Sequence, residues 1–322
     1  MASTNTNLYK AKNTKNDEFY TQFADVSNEI MHYKQHFKDK IVLCNCDDPT
    51  WSAFWKYFHL NFSALDLKKL ISTHYNKTEP TYKMEYKGGN DNDVEVGVKT
   101  PLDGNGDFRN QECLDLLDEA DIVVTNPPFS LFREYVAVLM EHEKKFLIIG
   151  NMNATNYLIP YIRDNKLWVG ANEKGGTRTG NSMHFAVPDN YTGRTVIKNG
   201  LRMAQVTAWW YTNLDFVKRH NKLILWKKYT PEEYPTYDNY DAIECGHSDQ
   251  VPCDYDGVIG VPISFLNGFY CPEQFDIIGI TYSTDTANEV EQLRTDNKHR
   301  HVGILNGKEK YPRILIRKKV GA

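Results

Sequence analysis

Asp121-Ile-Val-Val-Thr-Asn-Pro-Pro-Phe129 carries the richest chemistry in the chain: an apolar run ending in a proline-stiffened tetrad. The two prolines fix φ and remove backbone donors, yet Pro127 still offers its carbonyl as an acceptor. Asn126 adds a side-chain carbonyl and an amide donor, and Phe129 adds a flat apolar face. Two acceptors beside an aromatic face make a receptor for an exocyclic amino group on a planar ring. Such a receptor binds both N–H bonds of adenine N6 and turns the nitrogen lone pair out of conjugation. The nitrogen is then nucleophilic toward an electrophilic methyl. The plainer reading is a stiff strand-to-helix turn capped by Ser130. The apolar strand before the tetrad favours the chemical reading, since ligands of open α/β sheets bind beyond the carboxyl ends of strands.

The surrounding pattern supplies such a sheet. Strands are expected at Lys40–Cys46, Lys69–Thr73, Asp121–Thr125, Lys145–Gly150 and Lys166–Gly170. Helices are expected over about 51–58, 112–119, 130–141 and 155–164, with Pro49 near the first of them. A hairpin is expected from Tyr82–Tyr86 and Val94–Val98. The alternation predicts a parallel sheet with helices on both faces. Beyond about residue 170 the chain is rich in Gly, Asn, Tyr, Trp and Pro, with short strands at Gln205–Tyr211 and Phe275–Ile280, and reads as a more loop-built region. Adjacent Trp209 and Trp210 would face opposite sides of a strand and are both expected in the core.

The 322 residues suffice for two domains or one large one, with 41% hydrophobic and 25% charged residues, as in folded soluble proteins. No run of about 18 apolar residues occurs, so no membrane association is expected. The first 20 residues are polar and lack the centre of a signal peptide, which predicts a cytoplasmic protein. Six cysteines form no CxxC pair, and Cys245, His247 and Cys253 lack a fourth spaced ligand, so no metal is expected. The net charge of −4 hides blocks: +8 over 161–230, −13 over 231–296 and +7 over 297–322. Two basic blocks suit a protein that meets phosphates with one face, and the acidic block reads as a solvated face turned away from them.

The strand-to-tetrad segment resembles motif IV of the S-adenosylmethionine-dependent amino-methyltransferases. Further segments resemble the EcoRI-type adenine-specific DNA methyltransferase family: Asp17-Glu-Phe-Tyr-Thr-Gln22, Cys44-Asn-Cys-Asp-Asp-Pro49, Gly106-Asp-Phe-Arg109 and Thr125–Glu134. Lys145–Ile149, Trp210–Asp215, Tyr237–Ile243, Gly260–Phe265 and Pro272–Phe275 extend the resemblance along the chain, most weakly over 75–100 and 171–205. It implies an α/β, Rossmann-like methyltransferase fold with a loop-rich target-recognition region. The catalytic domain would span 1–215, with DNA-facing loops within about 171–205, and the recognition region 216–322. The implied reaction is methyl transfer from S-adenosylmethionine to a flipped-out adenine in double-stranded DNA, by a protein able to act as a monomer.

The resemblance assigns Asn126, Pro127, Pro128 and Phe129 to catalysis. It assigns Asp17, Tyr20, Thr21, Asn45, Asp47, Asp107, Phe108 and Asn126 to the cofactor. No FxGxG occurs at the first strand's end, where Asn45–Asp48 stand instead, and no acid follows the second strand to hold a ribose. Asp47 suits the cofactor's cationic amino group, whereas Asp48 reads equally as a helix cap. Lys174, Arg178, Arg194, Arg202, Lys218 and Arg219 are the candidate phosphate contacts. Gly175-Gly-Thr-Arg-Thr-Gly180 reads either as a loop that approaches DNA or as a surface turn. The rival readings are N4-cytosine methylation, methylation of RNA or of a protein glutamine, and a DNA-binding module without catalysis.

Overall fold

A computed structural model describes residues 21–76, 80–172, 183–187, 191–198, 200–281, 290, 292–295 and 302–321. The chain divides into two compact units, one of residues 1–152 and 174–214, the other of residues 153–173 and 215–322. The first unit begins with α1 (Phe23–Ile30), β1 (Ile41–Cys44), α2 (Ala53–Leu60), β2 (Lys69–Thr73), β3 (Tyr82–Tyr86) and β4 (Val98–Pro101). It continues with α3 (Gln111–Glu119), β5 (Ile122–Thr125), α4 (Phe132–Glu141), β6 (Lys145–Asn151), β7 (Met183–Ala186), β8 (Thr195–Lys198), β9 (Leu201–Val206) and β10 (Ala208–Thr212).

Every residue of β1, β2 and β5 is buried, as expected of parallel strands covered on both faces. β2 pairs with β1, β1 with β5 and β5 with β6, all in parallel. Antiparallel strands extend this core on both sides: β3 on β2, β4 on β3, and β10 on β6. Within this unit the order is β4-β3-β2-β1-β5-β6-β10. The sheet is thus mixed where the sequence pattern predicted a parallel one. The stretch 74–81 is too short for a crossover, so β3 must return antiparallel to β2.

Among the boundaries that differ from expectation, three do so for evident local reasons. α2 starts at Ala53 because Ser52 Oγ accepts from Phe54 N at 3.1 Å and Trp55 N at 3.0 Å. The second strand of the hairpin is Val98–Pro101, because the loop before it is held from α2. There Trp55 Nε1 donates to Val94 O at 2.8 Å, and His59 Nε2 lies 2.9 Å from Val96 O. The run Gln205–Tyr211 is split at Thr207, whose carbonyl accepts from Met152 N at 2.9 Å. β9 joins a separate three-stranded sheet, β7-β9-β8, and β10 joins the large sheet. Trp209 and Trp210 on β10 are both buried, as their alternation predicts. Gly150 on β6 is required by packing, since a Cβ there would lie 2.3 Å from the Phe132 ring.

The second unit contains α5 (Thr155–Arg163), β11 (Ile243–Glu244), β12 (Ile259–Pro262), β13 (Phe275–Ile280) and β14 (Arg313–Lys318). Its sheet order is β11-β12-β14-β13, and α5 packs against β13. Tyr237, Tyr240, Ala242, Val258, Ile278, Val290 and Leu315 form a core cluster. The opposite charge blocks meet inside this unit. Arg313 binds Glu244 at 2.8 Å, Lys318 approaches Asp256 at 3.6 Å, and Lys319 approaches Asp276 at 3.3 Å. The Arg313–Glu244 pair is nearly buried and takes the Tyr237 hydroxyl as a third member. Part of the C-terminal basic block is therefore spent on internal pairing, and part of the acidic block faces it instead of solvent. Among the described residues no helix is long and apolar enough to cross a membrane, and no group of three or more His, Cys, Asp or Glu is placed to hold a metal.

Candidate active site

The chain runs from β1 to β2 on one side and later returns to β5 on the other. The strand order reverses at this point, so the loops leaving β1 and β5 diverge and open a crevice at their carboxyl ends. Val42 pairs with Ile122 and Leu43 with Val123, so the strand ends Cys44 and Thr125 emerge side by side. The loops they lead into are Asn45–Asp48 and Asn126–Phe129. The Thr125 hydroxyl ties them by donating to the carbonyl of Asn45.

Tyr135 on α4 adds a second tie. Its hydroxyl donates to Asn45 Oδ1, and its ring packs edge-on to Phe108 with centroids 5.0 Å apart. Asn45, Phe108 and Tyr135 are all buried. Two loops assigned to one ligand by resemblance, those of Asn45 and Phe108, therefore share one buried side chain. Tyr135 was not singled out from the sequence, although it sits in register with the apolar positions Phe132, Val136 and Leu139 of α4.

Asp47 is 5% exposed, and its Oδ2 accepts from Ser52 Oγ at 2.7 Å. Burial pushes its carboxyl up to about 7 despite that hydrogen bond, with a further push from Asp48. Oδ1 of Asp47 has no hydrogen-bond partner among the described residues. A buried acid that is expensive to ionise and has an acceptor to spare suits a cationic ligand, which would restore its charge. The Thr21 hydroxyl is also shielded from solvent and meets no partner among the described residues. Both features fit the polar methionine end of the expected cofactor. Asp17 and Tyr20 lie outside the described residues.

Asp48 is occupied differently. Its Oδ1 accepts from Thr50 N at 2.9 Å, Thr50 Oγ1 at 2.8 Å and the Tyr82 hydroxyl at 2.8 Å, while its Oδ2 lies 3.5 Å from His74 Nε2. It fixes the turn before α2, and the cap itself is Ser52. Cys46, just before the two acids, takes a positive φ of 60°, its amide donating to Thr73 Oγ1 at 3.3 Å. Burial, then the charges of Cys113, Asp107 and Asp47, raises its thiol well above the ordinary range, so it is no thiolate nucleophile.

Asp107 is gripped by Arg109, with Nη2 to Oδ2 at 2.7 Å and Nε to Oδ1 at 2.9 Å, and Arg109 also reaches Glu134 at 2.9 Å. The guanidinium holds the Asp107 carboxyl below its usual range, so it stays an ionised acceptor. Gly106 brings this loop against the end of β2. Its φ is +73°, and a Cβ would lie 2.3 Å from His74 O.

In the tetrad, Pro127 is buried, while Asn126, Pro128 and Phe129 are half-buried. The Asn126 Oδ1 is shielded from solvent. The turn Phe129–Leu131 is a short 3-10 helix, with Leu131 N donating to Pro128 O at 3.0 Å, and α4 starts only at Phe132. No side chain caps that start, so Ser130 is not the cap. The Phe129 ring meets buried Phe185 of β7 at right angles, with centroids 6.3 Å apart.

The candidate phosphate contacts separate. Lys174, Arg178 and the Gly175–Gly180 loop lie outside the described residues. Arg194 is exposed. Arg202 is turned inward, to Tyr191 O at 2.7 Å and Thr195 Oγ1 at 3.2 Å. Lys218 donates to Ala171 O at 3.3 Å. Arg219 is buried, paired with Asp215 at 3.1 Å, bonded to Asn165 Oδ1 and stacked 3.8 Å from the Trp168 ring. Its charge is paired within the second unit, a structural role that charge counting cannot distinguish from phosphate binding.

Across residues 7–319 the sequence matches the family described as adenine-specific methyltransferase EcoRI. It is 42% identical to the Type II methyltransferase M.EcoRI of Escherichia coli, over 98% of each chain. It is 36% identical to M.MgeORF184P of Mycoplasma genitalium, over 96% of this chain and 98% of that one. It is also 36% identical to M.MpnI of Mycoplasma pneumoniae, over 96% of this chain and 97% of that one. No solved structure matches it.

Proposed function

The chain belongs to the adenine-specific EcoRI methyltransferase family, and on that premise we propose that it moves the methyl group of S-adenosylmethionine to N6 of an adenine flipped out of duplex DNA. The observation that carries the reading is the crevice where the order of β1 and β5 reverses, with Asn45–Asp48 on one lip and Asn126–Phe129 on the other. The bound sulfonium supplies an already activated methyl, so the protein needs no strong base and contributes mainly alignment and exclusion of water.

Asn126 Oδ1 and Pro127 O accept the two N–H bonds of the amino group and stabilise the positive charge that develops on it. Phe129 stacks on the base, its ring oriented by Phe185. Asp47 pairs with the donor's amino group, and Thr21 closes that end. Asp107, kept ionised by Arg109, accepts from the donor's adenine amino group. Tyr135 and Thr125 hold Asn45 in place and set the spacing between the two lips. Extruding the base costs a few kcal/mol, which phosphate contacts offset. Arg194 is the exposed described candidate for such contacts, and target recognition falls to 216–322 together with loops of 171–205.

The test is transfer of labelled methyl from S-adenosylmethionine to unmethylated duplex DNA, followed by nucleoside analysis. Label in N6-methyladenine supports the reading. Label in N4-methylcytosine overturns the choice of base, and label only in RNA or protein overturns the DNA substrate.

A further inference from the structure

In the second unit, the segment Lys222-Leu-Ile-Leu-Trp-Lys-Lys228 has alternating burial along its whole length. Lys222, Ile224, Trp226 and Lys228 are exposed, while Leu223, Leu225 and Lys227 are half-buried, the period-two pattern of an extended chain. Ile224 is 81% and Trp226 63% exposed. The segment belongs to none of the sheets, yet it is fastened from its inner side. Leu223 N donates to Gln274 Oε1 at 2.7 Å, and Gln274 Nε2 donates back to Leu223 O at 2.8 Å. Cys253 N donates to Lys227 O at 2.9 Å, and Tyr229 N to Asp254 Oδ1 at 2.7 Å. Lys227 is neutralised by Glu233 at 2.9 Å. Lys222 and Lys228 pair with no acid among the described residues.

The protein thus fixes an extended chain whose outer face reads cation, aliphatic, aromatic, cation. Exposing a large aliphatic and an indole side by side is unfavourable unless a partner covers them. We propose that this face is a DNA-docking surface, with Lys222 and Lys228 on backbone phosphates and Ile224 and Trp226 against the sugar and base edges between them. The two lysines are six residues apart, about 20 Å in an extended chain, which corresponds to roughly six base pairs along the duplex axis. Charge complementarity selects a polyanion, and the apolar centre matches the methyl and sugar surfaces of a groove. The assignment rests on the DNA substrate proposed above. It adds a surface that the candidate phosphate contacts of the sequence do not include.

The experiment measures binding of unmethylated duplex DNA across a salt series, with full-length wild type, Lys222→Ala/Lys228→Ala and Trp226→Ala. Circular dichroism and donor binding serve as controls for folding. The double lysine variant is expected to bind about tenfold more weakly at moderate salt, with the slope of log K against log salt reduced by about 2. Trp226→Ala is expected to weaken binding with an unchanged slope. Wild-type affinity and slope in both variants, or a change in oligomeric state in place of DNA affinity, overturns the proposal. These outcomes are read with a wild type that methylates DNA. A wild type that does not do so refutes the proposed function, a result distinct from failure of this surface.

Discussion

Replacing Asp47 by Asn should stabilise the ligand-free protein while impairing donor binding. In the unfolded chain this acid ionises near its ordinary value of 3.8, whereas burial holds it at about 7 in the folded protein. Between those values the folded state binds more protons than the unfolded state. The contribution of Asp47 to stability is therefore fully present below about pH 4 and is lost as the pH rises through 7. A difference of this size corresponds to on the order of 4 kcal/mol lost at pH 8. Asparagine carries no charge to desolvate and can still accept from Ser52 Oγ, which now stands 2.7 Å from the carboxylate. Urea unfolding at pH 5, 6, 7 and 8 should show Asp47→Asn gaining on wild type as pH rises, by up to roughly 4 kcal/mol. Calorimetric titration should show weaker donor binding by the variant, and wild-type affinity falling as Asp47 protonates below pH 7. Identical pH slopes for the two proteins, or an undiminished donor affinity in the variant, would refute the reasoning.

Tyr135→Phe leaves buried Asn45 Oδ1 without its donor and should cost about 1–3 kcal/mol in chemical unfolding, with a raised KM for the donor. Gly106→Ala sets a Cβ 2.3 Å from His74 O at a φ of +73°. It should destabilise by roughly 2 kcal/mol or more and weaken donor binding, read by thermal unfolding with and without ligand. Arg313→Leu strands buried Glu244 without its partner and should cost about 3–5 kcal/mol, with Arg313→Leu/Glu244→Leu recovering much of the loss in the same assay.

The central strands were legible because a parallel strand covered on both faces leaves an unbroken apolar run, as Ile41–Cys44 and Ile122–Thr125 do. The tetrad was legible for the same reason, since the end of such a run marks where a ligand can sit. What could not be read were decisions made by distant partners. Asp48 read equally as a cofactor ligand and as a cap, and its Oδ1 is taken by Tyr82 from the third strand. The C-terminal basic run looked like a phosphate face, but its strand Arg313–Lys318 buries Ile314, Leu315 and Ile316 while Arg313 answers Glu244. Arg219 carried a charge that Asp215, Asn165 and Trp168 already use. Tyr135 lay in plain helical register, but only tertiary packing gives its hydroxyl Asn45 as a partner.

The central claim is that Asn126–Phe129 receives the amino group that is methylated. Single-turnover methyl transfer by Asn126→Ala, started from enzyme with donor and DNA already bound, tests it most directly. The account predicts a rate reduced by roughly 10²–10³, with folding unchanged. A single-turnover rate within a few-fold of wild type would contradict it.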